Sequence, residues 1–250
     1  MGVHKNKGHK TENEQIEKEY QHFLEKSRIN PKTGILQANR DKRFATLPYI
    51  GSDYFSAKKK ILFVGLDMGC DELHQEDRYQ NLEERKMAID QDYAGFNPHI
   101  AGTYCSALFL LKEENNWQDA WEKFANHPSQ SFVTASKKEN RDNSINPLSF
   151  VALTNLFKFV TVGRRDREGA TDRRFIDKEK EVALLIKEIE ILKPDVVLFQ
   201  SKKMKWQLGL NILQKIKQQN IEVVLAHHPA YRKKGGKIPA NYVLAFDYVQ

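Results

Sequence analysis

The stretch Lys60-Ile61-Leu62-Phe63-Val64-Gly65-Leu66-Asp67-Met68-Gly69-Cys70 constrains the fold more than any other. An apolar run rich in β-branched and aromatic residues, broken by Gly-x-Asp-x-Gly, predicts a buried strand that ends in a sharp turn and presents one carboxylate. In an open α/β sheet, ligands bind beyond the carboxyl ends of the strands. Asp67, past the strand and between glycines, is therefore placed for chemistry. The plainer alternative is that Asp67 completes a turn or caps the next segment.

Three further runs repeat the strand pattern: Phe150 to Val160, Asp195 to Gln200, and Ile221 to Ala226. Between them lie helical periods. Ile16, Tyr20, Phe23 and Leu24 recur on a helix over 11–26, and Val182, Leu185, Ile186 and Ile189 form a stripe that stops before Pro194. Further helices are expected over 81–91, 100–111, around Trp117, Trp121 and Phe124, and over 203–218. Residues 126–147 read as a surface loop. Strands alternating with helices predict an α/β fold, a three-layer α/β/α arrangement around a central, mostly parallel four-stranded sheet. The expected organisation is a basic N-terminal tail, amphipathic helix and connecting arm over 1–59, followed by one domain over 60–250.

With 250 residues, 40% of them hydrophobic, the chain can bury one substantial core. No stretch approaches the roughly 18 to 20 apolar residues of a membrane span, and Met1 to Lys10 is polar and basic. Asn6 stands where a myristoylation signal wants Ser or Thr. Cys70 and Cys105 make no disulfide framework. A soluble, cytoplasmic monomer without membrane contact is expected. The net charge of +7 leans towards a polyanionic partner.

Three strand ends carry one polar residue each: Asp67, Asn155 and His228. In a parallel sheet those ends share an edge, so a carboxylate, an amide and an imidazole can meet in one crevice. A buried Asn must satisfy several donors and acceptors, so Asn155 is either pinned to backbone or aimed at a ligand. A metal site is not expected, because His227 and His228 adjoin on a strand and point opposite ways, and no carboxylate or cysteine pair stands at ligand spacing. The loop from Gly163 to Arg174 holds Arg164, Arg165, Arg167, Arg173 and Arg174. It reads either as a salt-bridged surface or as a phosphate contact.

In four ordered blocks over roughly 58–235, the chain resembles the uracil-DNA glycosylase superfamily. The blocks are Gly65-Leu66-Asp67-Met68-Gly69, Leu153-Thr154-Asn155-Leu156-Phe157-Lys158, Lys193-Pro194-Asp195-Val196-Val197-Leu198 and His228-Pro229-Ala230. The resemblance implies a glycosylase fold and a DNA partner. It implies that Asp67 orients water and stabilises the developing sugar cation, and that His228 hydrogen-bonds the pyrimidine O2. Asn155 would read the Watson-Crick edge of a flipped base, Phe96 would stack on it, and Gly65 and Gly69 would line the base pocket. Tyr231 or Arg232 would wedge into the duplex, with Lys233, Lys234, Lys237, Arg164 and Arg165 on DNA.

Taken singly, these residues also have structural readings: Asn155 as a strand bridge, His228 as a satisfied crevice histidine, Phe96 as core. Met68 replaces the family's usual Pro, and two cysteines cannot supply the four ligands of one branch's iron-sulfur cluster, so no cofactor is expected. Gly69 stands where uracil-specific members carry a Tyr that blocks C5 substituents. The expected activity is a monofunctional DNA glycosylase acting on uracil or a C5-modified pyrimidine, hypermodified phage cytosine included. The alternatives are a catalytically inactive nucleic-acid-binding module on the same scaffold, or a hydrolase of free nucleosides.

Overall fold

The computed structural model describes residues 10–26, 43–45, 47–66, 98–111, 119, 147–161, 177–228 and 246–250. These fall into two compact units. The first holds 1–47, 67–81 and 155–193; the second holds 48–66, 82–154 and 194–250.

The second unit is built on a mixed six-stranded sheet. Its strands are β2 (Tyr49–Ile50), β3 (Ile61–Gly65), β4 (Val151–Asn155), β6 (Val196–Phe199), β7 (Glu222–Leu225) and β8 (Asp247–Tyr248), in the spatial order β2-β4-β3-β6-β7-β8. β3, β6 and β7 are parallel, with Ile61 level with Val196 and Glu222, and Val64 level with Phe199 and Leu225. The four strands expected from sequence are the four central ones. Two-residue strands extend the sheet on either side, β2 antiparallel to β4 and β8 antiparallel to β7, so it has six strands instead of four.

Alternation sorts the strand residues. Ile61, Phe63, Val196, Leu198, Val224, Val151 and Leu153 form one core with Tyr104, Cys105, Ala107, Leu108 and Leu110 of α2 (Pro98–Leu110). Leu62, Val64, Val197, Phe199 and Val223 point the other way and are equally buried. Burial on both faces is what makes these strands near-continuous apolar runs. Burial pushes the Cys105 thiol up to about 12, so it behaves as packing and not as a nucleophile. At the β2 edge, the amide of Gly51 donates to the carbonyl of Val151 at 2.9 Å, and a Cβ at this position would run into the backbone of Leu148 and Ser149. Only glycine permits that approach.

The segment expected as one helix over 203–218 is two, α4 (Met204–Leu208) and α5 (Leu210–Lys217), divided by Gly209 at φ +79°. The glycine takes a left-handed backbone that other residues rarely adopt, so the helix cannot run through it.

The first unit contains α1 (Lys10–Lys26), α3 (Lys178–Leu192) and an antiparallel pair, β1 (Arg43–Ala45) with β5 (Phe159–Thr161). The expected single strand from Phe150 to Val160 is therefore divided: β4 ends at Asn155 and β5 belongs to a different sheet. Ile16, Tyr20 and Phe23 of α1 are buried as the sequence predicts. On α3 the buried stripe differs from the expected one. It comprises Glu181, Leu184, Leu185, Glu188, Ile189 and Leu192, with Val182 and Ile186 only half-buried.

The two buried glutamates are explained by Lys158, which is fully buried. Its Nζ donates to Glu188 Oε2 at 2.7 Å and its backbone amide donates to Glu181 Oε2 at 2.6 Å. The Tyr20 hydroxyl completes the cluster by donating to Glu188 Oε1 at 2.6 Å. Each Glu188 oxygen thus accepts a hydrogen bond, which helps the attraction offset the desolvation of both ions. α3 itself starts at Asp177, whose side chain accepts from the Lys180 amide at 3.3 Å, and ends at Lys193 at φ +47°, just before Pro194.

Replacing Lys158 by Met strands Glu188 as a buried charge, and is expected to cost about 3–5 kcal/mol in urea unfolding. The double variant Lys158→Met/Glu188→Leu should recover most of that loss. Tyr20→Phe should cost about 1.5–3 kcal/mol, the worth of a hydrogen bond to a charged acceptor.

Candidate functional site

The parallel strands of the second unit set the site. Because Val64, Phe199 and Leu225 are level, the residues that follow them emerge together at one edge: Gly65, the last residue of β3, and Leu66 after it, Gln200 and Ser201 after β6, and Ala226, His227 and His228 after β7. The ladder continues one step past the strands. The Gln200 amide donates to the Val64 carbonyl and the Ala226 amide to the Phe199 carbonyl, each at 2.9 Å. With neighbouring strands roughly 4.8 Å apart, Gly65 and the residues after β7 stand about 10 Å apart across β6.

Gln200 is the buried polar floor of this edge. It is 9% exposed, and its Nε2 donates to Thr103 Oγ1 of α2 at 2.8 Å, which fixes the amide's orientation. Ser201, also buried, takes the Lys203 amide on its Oγ at 3.2 Å and begins the turn into α4. Neither stands out in the sequence as a site residue. The one signal it offers is an amide directly after an apolar strand, Phe199-Gln200.

The two histidines differ in environment. His228 is exposed, whereas His227 is half-buried. Burial, together with the nearby Lys202 ammonium, lowers the pKa of His227 below that of an ordinary imidazole; Asp247 acts in the opposite direction. Lys202 and Asp247 themselves pair at 2.8 Å. His227 is therefore neutral at pH 7, one ring nitrogen a donor and the other an acceptor.

Of the residues singled out in the sequence, Gly65 and His228 come to this one edge. Asn155 is 5% exposed and closes β4; three residues further on, Lys158 is held at both its amide and its ammonium group. Asp67, Gly69, Phe96, Arg164, Arg165, Tyr231, Arg232, Lys233, Lys234 and Lys237 lie outside the described residues. Among the described residues, no group of three or more His, Cys, Asp or Glu side chains could hold a metal ion. No described helix is long and apolar enough to cross a membrane.

A histidine whose folded pKa is depressed binds its proton more readily in the unfolded chain. The contribution of His227 to stability is therefore present above pH about 6.5, and is lost as the pH falls from there through its lower folded value. An NMR titration should place the midpoint of His227 below that of a free imidazole, with Lys202→Gln moving it up and Asp247→Asn moving it further down. No family model matches the chain, and no curated protein matches it.

Proposed function

We propose that this protein is a DNA glycosylase that flips a base, hydrolyses its N-glycosidic bond and leaves an abasic site. The observation that carries the reading is the shared edge: the strand that leads into Gly65-Leu66-Asp67 and the strand that leads into His228-Pro229-Ala230 are parallel, in register and separated by a single strand. In an open α/β sheet that edge is where ligands bind. A span of about 10 Å suits a single base held between groups on the two strands.

In this reading Asp67 orients the attacking water and stabilises positive charge as the C1′–N bond stretches. Water's oxygen bonds to C1′, the base departs with the bonding pair, and His228 donates a hydrogen bond to O2 where negative charge collects. Neutral His227 lies beside it in sequence. The buried amide of Asn155 pairs with the base edge, Phe96 stacks on the base, and Gly65 and Gly69 leave space around it. The glycine at 69 leaves C5 unobstructed, so a C5-modified pyrimidine, including a hypermodified phage cytosine, is a substrate class alongside uracil. DNA is held by Arg164, Arg165, Lys233, Lys234 and Lys237, and Tyr231 or Arg232 enters the duplex. The protein works as a cytoplasmic monomer, and a defensive role against phage DNA follows if the substrate is a modified cytosine.

A nucleic-acid-binding module without hydrolysis is the second reading. It is favoured by Met68, which replaces a rigid proline beside the carboxylate with a flexible residue.

End-labelled oligonucleotides containing uracil, a thymine mismatch, hydroxymethylcytosine or its glucosylated form distinguish the two readings, with alkali to open abasic sites. The expected result is cleavage at one of these bases, reduced roughly a hundredfold or more in Asp67→Asn and in His228→Ala with DNA affinity retained. Tight binding with no cleavage of any substrate would replace the enzyme with the binding module.

A further inference from the structure

Between Asp195 and Glu222 the chain carries five lysines, Lys202, Lys203, Lys205, Lys215 and Lys217, and no carboxylate. This one segment has a charge of +5 in a chain whose total is +7. Lys203, Lys205, Lys215 and Lys217 are all exposed. Trp206 lies among them, 83% exposed, and Leu210, 50% exposed, follows across the Gly209 break. They are two of the three large hydrophobic side chains that stand exposed among the described residues.

The exposure of Trp206 is built in. Met204 and Leu208, one turn apart, are buried and anchor α4, and Trp206 between them falls on the opposite side of the helix. The same turn brings Lys203, three residues earlier, to the side of Trp206. An indole in water beside carboxylates would fit a basic protein partner; here every neighbouring charge in sequence is positive. A flat π surface among ammonium groups matches a ligand that is both polyanionic and aromatic.

We infer that α4 and α5 form a contact surface for single-stranded nucleic acid, with Trp206 stacking on an unpaired base and Lys203, Lys205, Lys215 and Lys217 following the phosphates. α4 leaves the sheet at the edge that carries Gln200 and Ser201, so a strand lying on it runs past that edge. The inference does not depend on hydrolysis: a polynucleotide binds this surface whether or not a base is excised elsewhere.

The test uses the full-length protein, a fluorescein-labelled thymidine oligonucleotide, dextran sulfate as a polyanion without bases, and anionic phospholipid vesicles. Trp206→Ala should weaken oligonucleotide binding roughly tenfold, with the melting temperature and the affinity for dextran sulfate unchanged. Lys203→Gln/Lys205→Gln should make the salt dependence shallower by about 1.4 in log-log slope, about 0.7 for each phosphate that is no longer neutralised. The oligonucleotide should also quench tryptophan fluorescence in the wild type more than in Trp206→Ala. Unchanged affinity and quenching in Trp206→Ala would overturn the inference. So would vesicles competing more strongly than the oligonucleotide, which would identify a lipid surface as the occupant.

Discussion

The carboxylate of Asp195 fixes the register that brings the ends of β3, β6 and β7 to one edge. It accepts the Lys60 amide at 2.7 Å, and the Lys60 carbonyl in turn accepts the amides of Asp195 at 2.9 Å and Val196 at 3.1 Å. The Asp195 carbonyl then takes the Glu222 amide at 2.9 Å. β3, β6 and β7 are thus clamped where they begin, and the alignment is carried along the ladder to Val64, Phe199 and Leu225. A slip by one residue would turn Phe63 and Leu198 away from α2 and offset Gly65 from Ala226. A short polar contact at one end of the sheet therefore governs which residues meet at the other. It acts on a second neighbour as well: burial and Asp195 together hold the Tyr54 phenol in its neutral form.

The first unit solves a different problem. Its helices α1 and α3 bury apolar stripes, and beside them one lysine and two glutamates enter the interior together. Lys158, 0% exposed, meets Glu188, and Tyr20 spans from α1 to the same carboxylate. Such a cluster gains little in net stability over well-packed apolar groups, but it admits only one arrangement of its members. The amide and the ammonium group of Lys158 are both engaged by α3, so the backbone just after Asn155 is held at its far end.

The four central strands are legible in the sequence because burial on both faces leaves an unmistakable apolar run. β2 and β8, two residues each, are not, since neither is long enough to show alternation. The run from Phe150 to Val160 looks continuous because Leu156 and Phe157 are as buried as the strand before them. β4 nevertheless ends at Asn155, and three residues on the Lys158 amide is taken by Glu181, a partner 23 residues away that no local pattern reveals. The break at Gly209 is readable from a glycine inside a helical period. The inward glutamates of α3 are not, because a charge on a helix reads as solvent-facing until its buried partner is known. At the edge, the strand-end rule points to Asp67, Asn155 and His228, of which Asp67 lies outside the described residues, Asn155 closes β4 and His228 follows β7. Gln200 and Ser201 are not among them, and their place between the other two ends follows from the register of β3, β6 and β7.

The charge that surrounds this edge has two consequences from one source. Lys202 stands next to His227 in space and lowers its affinity for a proton, so the imidazole stays neutral where the chain as a whole is strongly cationic. The lysines that follow it, with no acid before Glu222, add to the positive potential around this part of the chain. Asp247, paired to Lys202 at 2.8 Å, tempers both effects. The imidazole of His227 thus keeps its neutral form beside a segment that is otherwise dominated by lysines, because burial and a neighbouring ammonium act on it in the same direction.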